Sequence, residues 1–492
     1  MIVDTQANQA VQFEVLSTWK RERIYEAALA CLERTGVNVL NNEARSMLGQ
    51  AGARVDGIRV RIPPRLIREA VATCPSSFTL WGRDGRASLQ VAPGNVYFGP
   101  GPTCTYFVDP ATGERRATRR GDAALTARVC DALDNVDYVM GLGLISDVTS
   151  SLAPVYEFAE MVANTGKPIL PWAYSADNVS DIYEIGVAVA GGREALRERP
   201  FFALFATFQS PLVQTREDLA NVLWAADHDI PVVYLGGGTA GTTAPITGAG
   251  SLVITLAGAL SGLCILQLKK AGAPVCLGGV PQAMDLRAAW PTYGSPEMSL
   301  YSAALSEIYQ YLGLPFMGTA GASEAKVLDL QAAIESTLQV ILSALSGATL
   351  VHDVGFLDCA GIGSLESVVM NDEIISMARR ILRGIEVNDE TLMLDLVDQV
   401  GPGGEFMSHK ETARRCRAEI WNPRLLDRQP WVNWELSGSQ TMQVRVQTRL
   451  WEILATHNPP PLPEKAQEAI QSILRAAETR AAPGTSPATA NS

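Results

Sequence analysis

Residues 231–277 read PVVYLGGGTAGTTAPITGAGSLVITLAGALSGLCILQLKKAGAPVCL. A short β-branched apolar run (231–235) is followed by a glycine-rich loop. A long stretch of helical character (250–270) and a second apolar run (274–277) come next. Neither run alternates apolar with polar residues, which is the pattern of a strand covered on both faces, as in a parallel sheet with helical crossovers. The stretch is one β–α–β unit.

The unit repeats on both sides. Apolar runs rich in β-branched or aromatic residues lie at 96–99, 137–144, 168–174, 201–208, 231–235, 274–277, 315–319 and 349–354, with starts 30–43 residues apart. Helical stretches at 120–133, 154–165, 178–189, 216–227, 250–270, 296–312, 327–345 and 365–383 follow them in turn. Eight such units predict an α/β fold of the closed (βα)8 (TIM) barrel type rather than an open doubly wound sheet. The expected organisation is an N-terminal mixed, largely helical region (1–94), the barrel (95–400), a packed C-terminal extension (401–480) and a disordered tail (481–492). Helices are expected at 21–35, stopped by Gly36, and at 64–72. The turn residues Asp109-Pro-Ala-Thr-Gly113 predict a rim hairpin over 104–119.

Composition narrows the function classes. The chain has 492 residues, 40 basic and 52 acidic side chains, and a net charge of −12. An acidic chain without clustered Lys or Arg argues against a nucleic-acid partner. No run reaches the ~18–20 uninterrupted apolar residues of a membrane span, and the start MIVDTQANQAV lacks the features of a secretion signal. A cytoplasmic protein with reduced thiols is expected from these signs and from eight cysteines without a CxxC pair. Four histidines at 228, 352, 409 and 457 form no HxxxH or HExxH motif, so no protein-bound metal is expected.

In a barrel, functional groups lie at the C-terminal strand ends. Aromatic residues are only 7% of the chain, yet Trp172, Tyr174, Phe208, Tyr234 and Phe356 fall at or near those ends. Converging rings suit a quaternary ammonium by cation–π attraction, and they equally suit rim packing. Gly236, Gly237 and Gly238, then Gly278 and Gly279, then Gly318 and Gly321 strip bulk from three successive rims. Such edges allow tight turns, and together they suit a seat for a broad flat ligand. His352 on the last strand is either a hydrogen-bonded core residue or an imidazole that orients a ligand. No nucleophile with a matching base stands out, and no acid/base pair is assignable among Glu324, Asp329, Glu335 and Glu366.

Five strings, ERTGVNVLNNEA (33–44), YFGPGPTCTYFVDPATGERR (97–116), DALDNVDYV (131–139), GTAGASEAKVLDLQAAIES (318–336) and SGATLVHDVGFLD (346–358), resemble the trimethylamine methyltransferase superfamily over nearly the whole chain. The resemblance implies a (βα)8 barrel. It also implies methyl transfer from a methylated amine to the cob(I)alamin (cobalamin, a corrinoid) of a separate small corrinoid protein. Members acting on trimethylamine carry pyrrolysine in the barrel; this chain has standard residues, and Gln331 is the expected counterpart. It therefore resembles the pyrrolysine-free members, which implies a quaternary-amine donor such as glycine betaine. Carnitine, choline or trimethylamine as donor, or a betaine-binding protein without catalysis, are the alternatives. In that reading Trp172, Tyr174, Phe208 and Phe356, with Tyr97, form the cation cage. His352 and Gln331 meet the substrate's polar end, and the glycine rims receive the corrin face. A homo-oligomer is compatible with all of this.

Overall fold

Strand Val232–Leu235 has a parallel partner on each side, Leu204–Thr207 and Val275–Gly278. The ladder continues through Phe316–Thr319 and Leu350–His352 to Tyr97–Phe98, giving a parallel sheet of six strands. These relationships come from a computed structural model, which describes residues 11–85 and 88–482. Of the tail expected to be disordered, residues 483–492 lie outside the described residues.

Segments 137–144 and 168–174 complete the ring, and here the expectation of regular strands gives way to isolated bridges. Val139 bridges Ile169, and Ile169 bridges Phe202. The cause is local. Pro168 and Pro171 have no N–H to give the ladder, and Leu142 has φ +65°, which turns the chain out of extended geometry. Closure against the first strand is made partly by a side chain. Asp137 N donates to Phe98 O (2.7 Å), and Phe98 N donates to Asp137 Oδ2 (2.8 Å). The same oxygen accepts Arg379 Nη2 at 2.6 Å, from helix Leu365–Leu382.

Strand alternation divides the core in two. Phe98, Tyr234, Phe316 and Val351 point outward into the main core beneath the helices. Tyr97, Tyr138, Met140, Leu170, Ala203, Phe205, Val233, Leu235, Cys276, Met317 and Leu350 fill the lumen. An antiparallel hairpin, Phe78–Trp81 with Ser88–Val91, stoppers the N-terminal mouth through Leu80, Leu89 and Val91.

Helix Thr18–Arg34 starts three residues before its expected position and ends where Gly36 (φ +78°) returns its N–H to Cys31 O. Together with Pro64–Thr73 it packs on Gly248–Lys269. That 22-residue helix is long and apolar enough to cross a membrane, but 78% of its most apolar window is buried inside the protein. At the far end, Met442–Thr456 packs on Leu365–Leu382, and Glu464–Ala481 packs on Ala176–Ala190. Arg128 holds His457 O (2.7 Å), His457 Nε2 meets Asp131 (2.7 Å), and Arg480 meets Asp181 (2.5 Å). The C-terminal extension is less packed than expected: Trp431 is 69% exposed and faces Trp434 at 5.1 Å. Its helix of six residues buries nothing. All eight cysteines are free.

The closure predicts a specific weakness. Asp137→Ala removes a carboxylate shared by the first strand and Arg379, whose exposures are 12% and 11%. Leaving Arg379 uncompensated is expected to cost about 3 kcal/mol, read as a lower midpoint of urea unfolding. Asp137→Asn, which keeps an oxygen for Phe98, should lose less.

Candidate functional site

The lumen's upper level is set by alternation from the buried layer below it. Above Leu350 comes His352, above Met317 comes Thr319, and above Ala203 comes Phe205. His352 is 4% exposed. Its Nδ1 is hydrogen-bonded to the Asp353 carboxylate, whose second oxygen accepts Thr319 Oγ1 at 2.6 Å. The other ring nitrogen, Nε2, is buried and has no partner. Buried polar atoms are normally paired, so this nitrogen faces a position suited to a ligand atom. Phe205 stands edge-on to the imidazole, centroids 5.9 Å apart.

Backbone geometry supports the pair. Asp353 holds φ +77°, a left-handed conformation that Asp tolerates better than most residues. Its carboxylate occupies the space beside Gly101, where a Cβ would come within 2.2 Å of Asp353 Oδ1 and 2.5 Å of the Phe356 ring. Gly99 is bare for a similar reason: the ring of Tyr138 lies over it, 2.4 Å from where a Cβ would be. The Tyr138 hydroxyl is buried without a partner, and burial pushes its pKa well up.

Beside segments two and three lies a second polar group. Glu157, on helix Ala153–Asn164, is 1% exposed. Its Oε2 accepts Trp172 Nε1–H at 3.1 Å, and its Oε1 has no side-chain partner. Burial pushes this carboxyl up to about 8, against the lowering effect of hydrogen bonds from Trp172 and the Gly141 backbone. Trp172 and Tyr174 meet at 90° with centroids 4.6 Å apart, and Tyr174 is 47% exposed. The two rings form an open aromatic corner backed by a carboxyl group.

The expected site residues therefore separate. His352, Trp172 and Tyr174 stand as described, and Phe356 is buried beside Asp353. Tyr97 points into the lumen at its floor, where its hydroxyl accepts Gln90 N–H (3.2 Å) from the plugging hairpin. Phe208 is on the outward face. Its ring packs against Gly258 of helix Gly248–Lys269 and beside Tyr234 at 5.8 Å, so it belongs to no cage. The physical reason is parity: Phe205 and Phe208 are three residues apart and leave the strand on opposite sides. Gln331 is exposed on the first helical turn of Leu330–Leu345, its amide donating to Glu335 Oε1 (2.9 Å), outside the lumen.

The glycine rims are closed contacts rather than an open seat. Gly236, Gly238, Gly278, Gly279, Gly318 and Gly321 are buried, and Gly237 is half-buried. A Cβ would meet Phe208 O at 2.5 Å from Gly236 and Val280 O at 1.9 Å from Gly237. At Gly278 it would meet Met317 O at 2.7 Å, and at Gly318 the Phe316 ring at 2.9 Å. These residues are small because neighbouring chain crosses them. They do not fit a corrin face in this conformation. The carboxylates near the last strands are fasteners. Glu335 accepts Ser323 Oγ (2.5 Å) and Glu324 N (2.9 Å), while Glu324 accepts the backbone N–H groups of Tyr293 and Gly294. Burial pushes the Glu324 carboxyl up. Among the described residues, no group of three or more His, Cys, Asp or Glu is placed to hold a metal ion.

Sequence reasoning missed Glu157, Tyr138, Phe205 and Thr319. A signal for Glu157 was present. It sits four residues from both Ala153 and Met161, on the apolar stripe of its helix, where a charge is not solvated.

A family model described as trimethylamine methyltransferase (MTTB) matches residues 2–480. Trimethylamine methyltransferase MttB of Desulfitobacterium hafniense is 33% identical over 460 residues, covering 92% of each chain. MttB of Methanosarcina barkeri is 31% identical over 480 residues, 96% of this chain and 97% of the other. A glycine betaine methyltransferase of D. hafniense is 26% identical over 465 residues, covering 94% and 97%. The crystal structure of M. barkeri monomethylamine methyltransferase superposes with a TM-score of 0.51 at 12% identity, covering 96% and 91% of the chains. That likeness concerns the fold.

The reassignment of Phe208 is open to direct test. Phe208→Ala is expected to cost about 3–5 kcal/mol of stability, as for other buried aromatic truncations, and to leave tetramethylammonium affinity unchanged in the folded fraction. Trp172→Ala should weaken that affinity, by about 0.5–2 kcal/mol for one cation–π face. Calorimetric titration of both variants separates the two roles.

Proposed function

The chain belongs to the trimethylamine methyltransferase family, and from that premise we propose that it is a cytosolic enzyme demethylating a small quaternary amine, glycine betaine or a close analogue. The methyl acceptor is the cob(I)alamin of a separate corrinoid protein. The observation that carries the reading is His352, whose buried Nε2 is unpartnered while Nδ1 is held by Asp353. Set on a lumen with aromatic walls, it suits a donor with an anionic end and a cationic end.

The chemistry asks little of the protein beyond placement. A quaternary nitrogen is already positive, so when its methyl leaves to a nucleophile the amine departs neutral and needs no proton. A general acid at nitrogen is therefore unnecessary. Binding in one orientation supplies the rate advantage of a fixed approach. In this reading His352 donates Nε2–H to the substrate carboxylate. Asp353, steadied by Thr319, fixes the ring through Nδ1. The Trp172 and Tyr174 faces hold the ammonium. The trimethylamine methyltransferases, at 31–33% identity, are more similar to this chain than the glycine betaine methyltransferase at 26%, so the preference for a betaine rests on His352 Nε2 and not on similarity. Gln331, exposed and turned to Glu335, has no part in this arrangement.

The test is methylation of a reduced corrinoid protein, followed by its absorbance, with glycine betaine, carnitine, choline and trimethylamine offered in turn. Glycine betaine or a close relative should support transfer. Transfer from trimethylamine alone, or from none of the panel, would overturn the assignment. His352→Gln should weaken glycine betaine binding about ten- to hundredfold, the loss of one charge-assisted hydrogen bond. Tetramethylammonium, which has no carboxylate, should bind the variant as it binds the wild type.

A further inference from the structure

Glu157 is a buried carboxyl that the mechanism above does not use. It is 1% exposed, and among the described residues no cationic side chain contacts it. Charged groups on the elements around it are engaged elsewhere. On helix Arg120–Ala132, Asp122 pairs with Arg116, Arg128 holds the carbonyls of Leu454 and His457, and Asp131 meets His457. On its own helix Glu160 pairs with Arg120, and Tyr156 donates its hydroxyl to Glu478 of the last helix. On helix Ala176–Ala190 Asp181 pairs with Arg480. Tyr174 is the titratable neighbour on the site side, and its phenol is raised by burial first and by Glu157 second. The fold makes room for this carboxyl, since any side chain at Gly141 would strike Oε1, with a Cβ 2.1 Å away. One oxygen has no side-chain partner and lies against the Gly141 backbone, and the other touches the single polar atom of the Trp172 indole.

An isolated buried carboxylate is expensive, and the group takes a proton instead. A cation on the Trp172–Tyr174 corner changes that balance. It is attracted by a carboxylate behind the ring, and the hydrogen bond from Nε1 to an ionised acceptor makes the ring face more negative. We propose that Glu157 is a proton-linked positioning residue of the cation site, neutral in the empty enzyme and ionised when a quaternary ammonium docks on Trp172 and Tyr174, its proton passing to solvent. This rests on the cation site of the proposed function. It adds a coupling between pH and binding that the methyl-transfer chemistry does not require.

The sign follows from linkage. A ligand that prefers the ionised form binds more tightly as pH rises, until the free enzyme is itself ionised. With the Glu157 carboxyl pushed up to about 8, affinity should climb below that pH and level off above it.

The experiment titrates tetramethylammonium into the full-length protein by calorimetry, at pH 6.5 in two buffers of different ionisation enthalpy, and then across pH 6–9. About one proton should be released per cation bound at pH 6.5, with affinity rising up to about tenfold per pH unit below the plateau. Glu157→Gln keeps an oxygen for Trp172 and cannot ionise. Its binding should release no proton, show a flat profile and be weaker than wild type at pH 8.5. His352→Gln should release the proton as wild type does, which excludes the imidazole as its source. Wild-type binding without proton release, or release that survives in Glu157→Gln, overturns the proposal. Methyl transfer from glycine betaine, assayed in parallel, separates the two claims. Transfer without proton-linked binding removes the role of Glu157 and leaves the activity standing. Proton-linked binding without transfer from any betaine does the reverse. No cation binding at all overturns both.

Discussion

A barrel has to close, and in this chain closure is hardest where the regular ladder fails. Six strands run in unbroken parallel register, but the last quarter of the ring is made by segments 137–144 and 168–174. Prolines and a left-handed residue leave them with isolated bridges. The ring is completed by the Asp137 carboxylate, which serves as a backbone partner for Phe98 and as an ion-pair partner for Arg379. Unpaired backbone groups in a covered sheet would be costly, so the side chain substitutes for the missing ladder. The irregular sector is also where the chain turns aside enough to place Tyr138, Trp172 and Glu157 at the upper lumen.

The period of the fold is written in the sequence because it depends on composition over long windows. Apolar runs covered on both faces, separated by helices, admit few architectures, and 231–277 alone contains the unit. The direction of individual side chains is a different matter. It depends on strand parity, and one residue decides whether a ring enters the lumen or the helix layer. Phe205 and Phe208 illustrate this: both lie at the end of one run, and only the first faces His352. Trp172 and His352 were legible because they share parity with clearly inward neighbours, Leu170 and Leu350. Gln331 was misplaced for a further reason. A residue in the first turn of a helix after a long loop can face the mouth or the solvent, and sequence does not distinguish the two.

Small residues carry a related ambiguity. Glycine at a strand end marks close approach, yet it does not say what approaches. At Gly236, Gly237, Gly278 and Gly318 the visitor is the protein's own backbone or ring. At Gly99, Gly101 and Gly141 it is a functional side chain: Tyr138, Asp353 and Glu157 in turn. The glycines that shape the site were hidden in the YFGPG string and in the loop after Met140. The conspicuous run at 236–238 serves packing. Carboxylates divide likewise. Glu324 and Glu335 hold loop backbone, whereas Glu157 has one oxygen without a side-chain partner.

The arrangement of these groups around the ring bears on how an acidic protein would hold a zwitterion. Long-range field is of little use here, since a net charge of −12 attracts one end of such a molecule and repels the other, and solvent screens both beyond about 10 Å. Recognition must be local and two-sided. The last strand supplies His352 and Asp353, and segment 168–174 supplies the Trp172–Tyr174 corner, with Glu157 of helix Ala153–Asn164 behind it. Between them around the ring stand segment 137–144 and the first strand, which carries Gly99 and Gly101 at that level. Those two positions lack side chains because Tyr138 and the Asp353–Phe356 pair occupy their space from either side. In the proposed reading, the imidazole of the last strand would meet an anionic end and the aromatic corner of segment 168–174 a cationic one. On that proposal a donor bearing both charges would engage both groups, whereas a simple tertiary amine would give His352 Nε2 no partner.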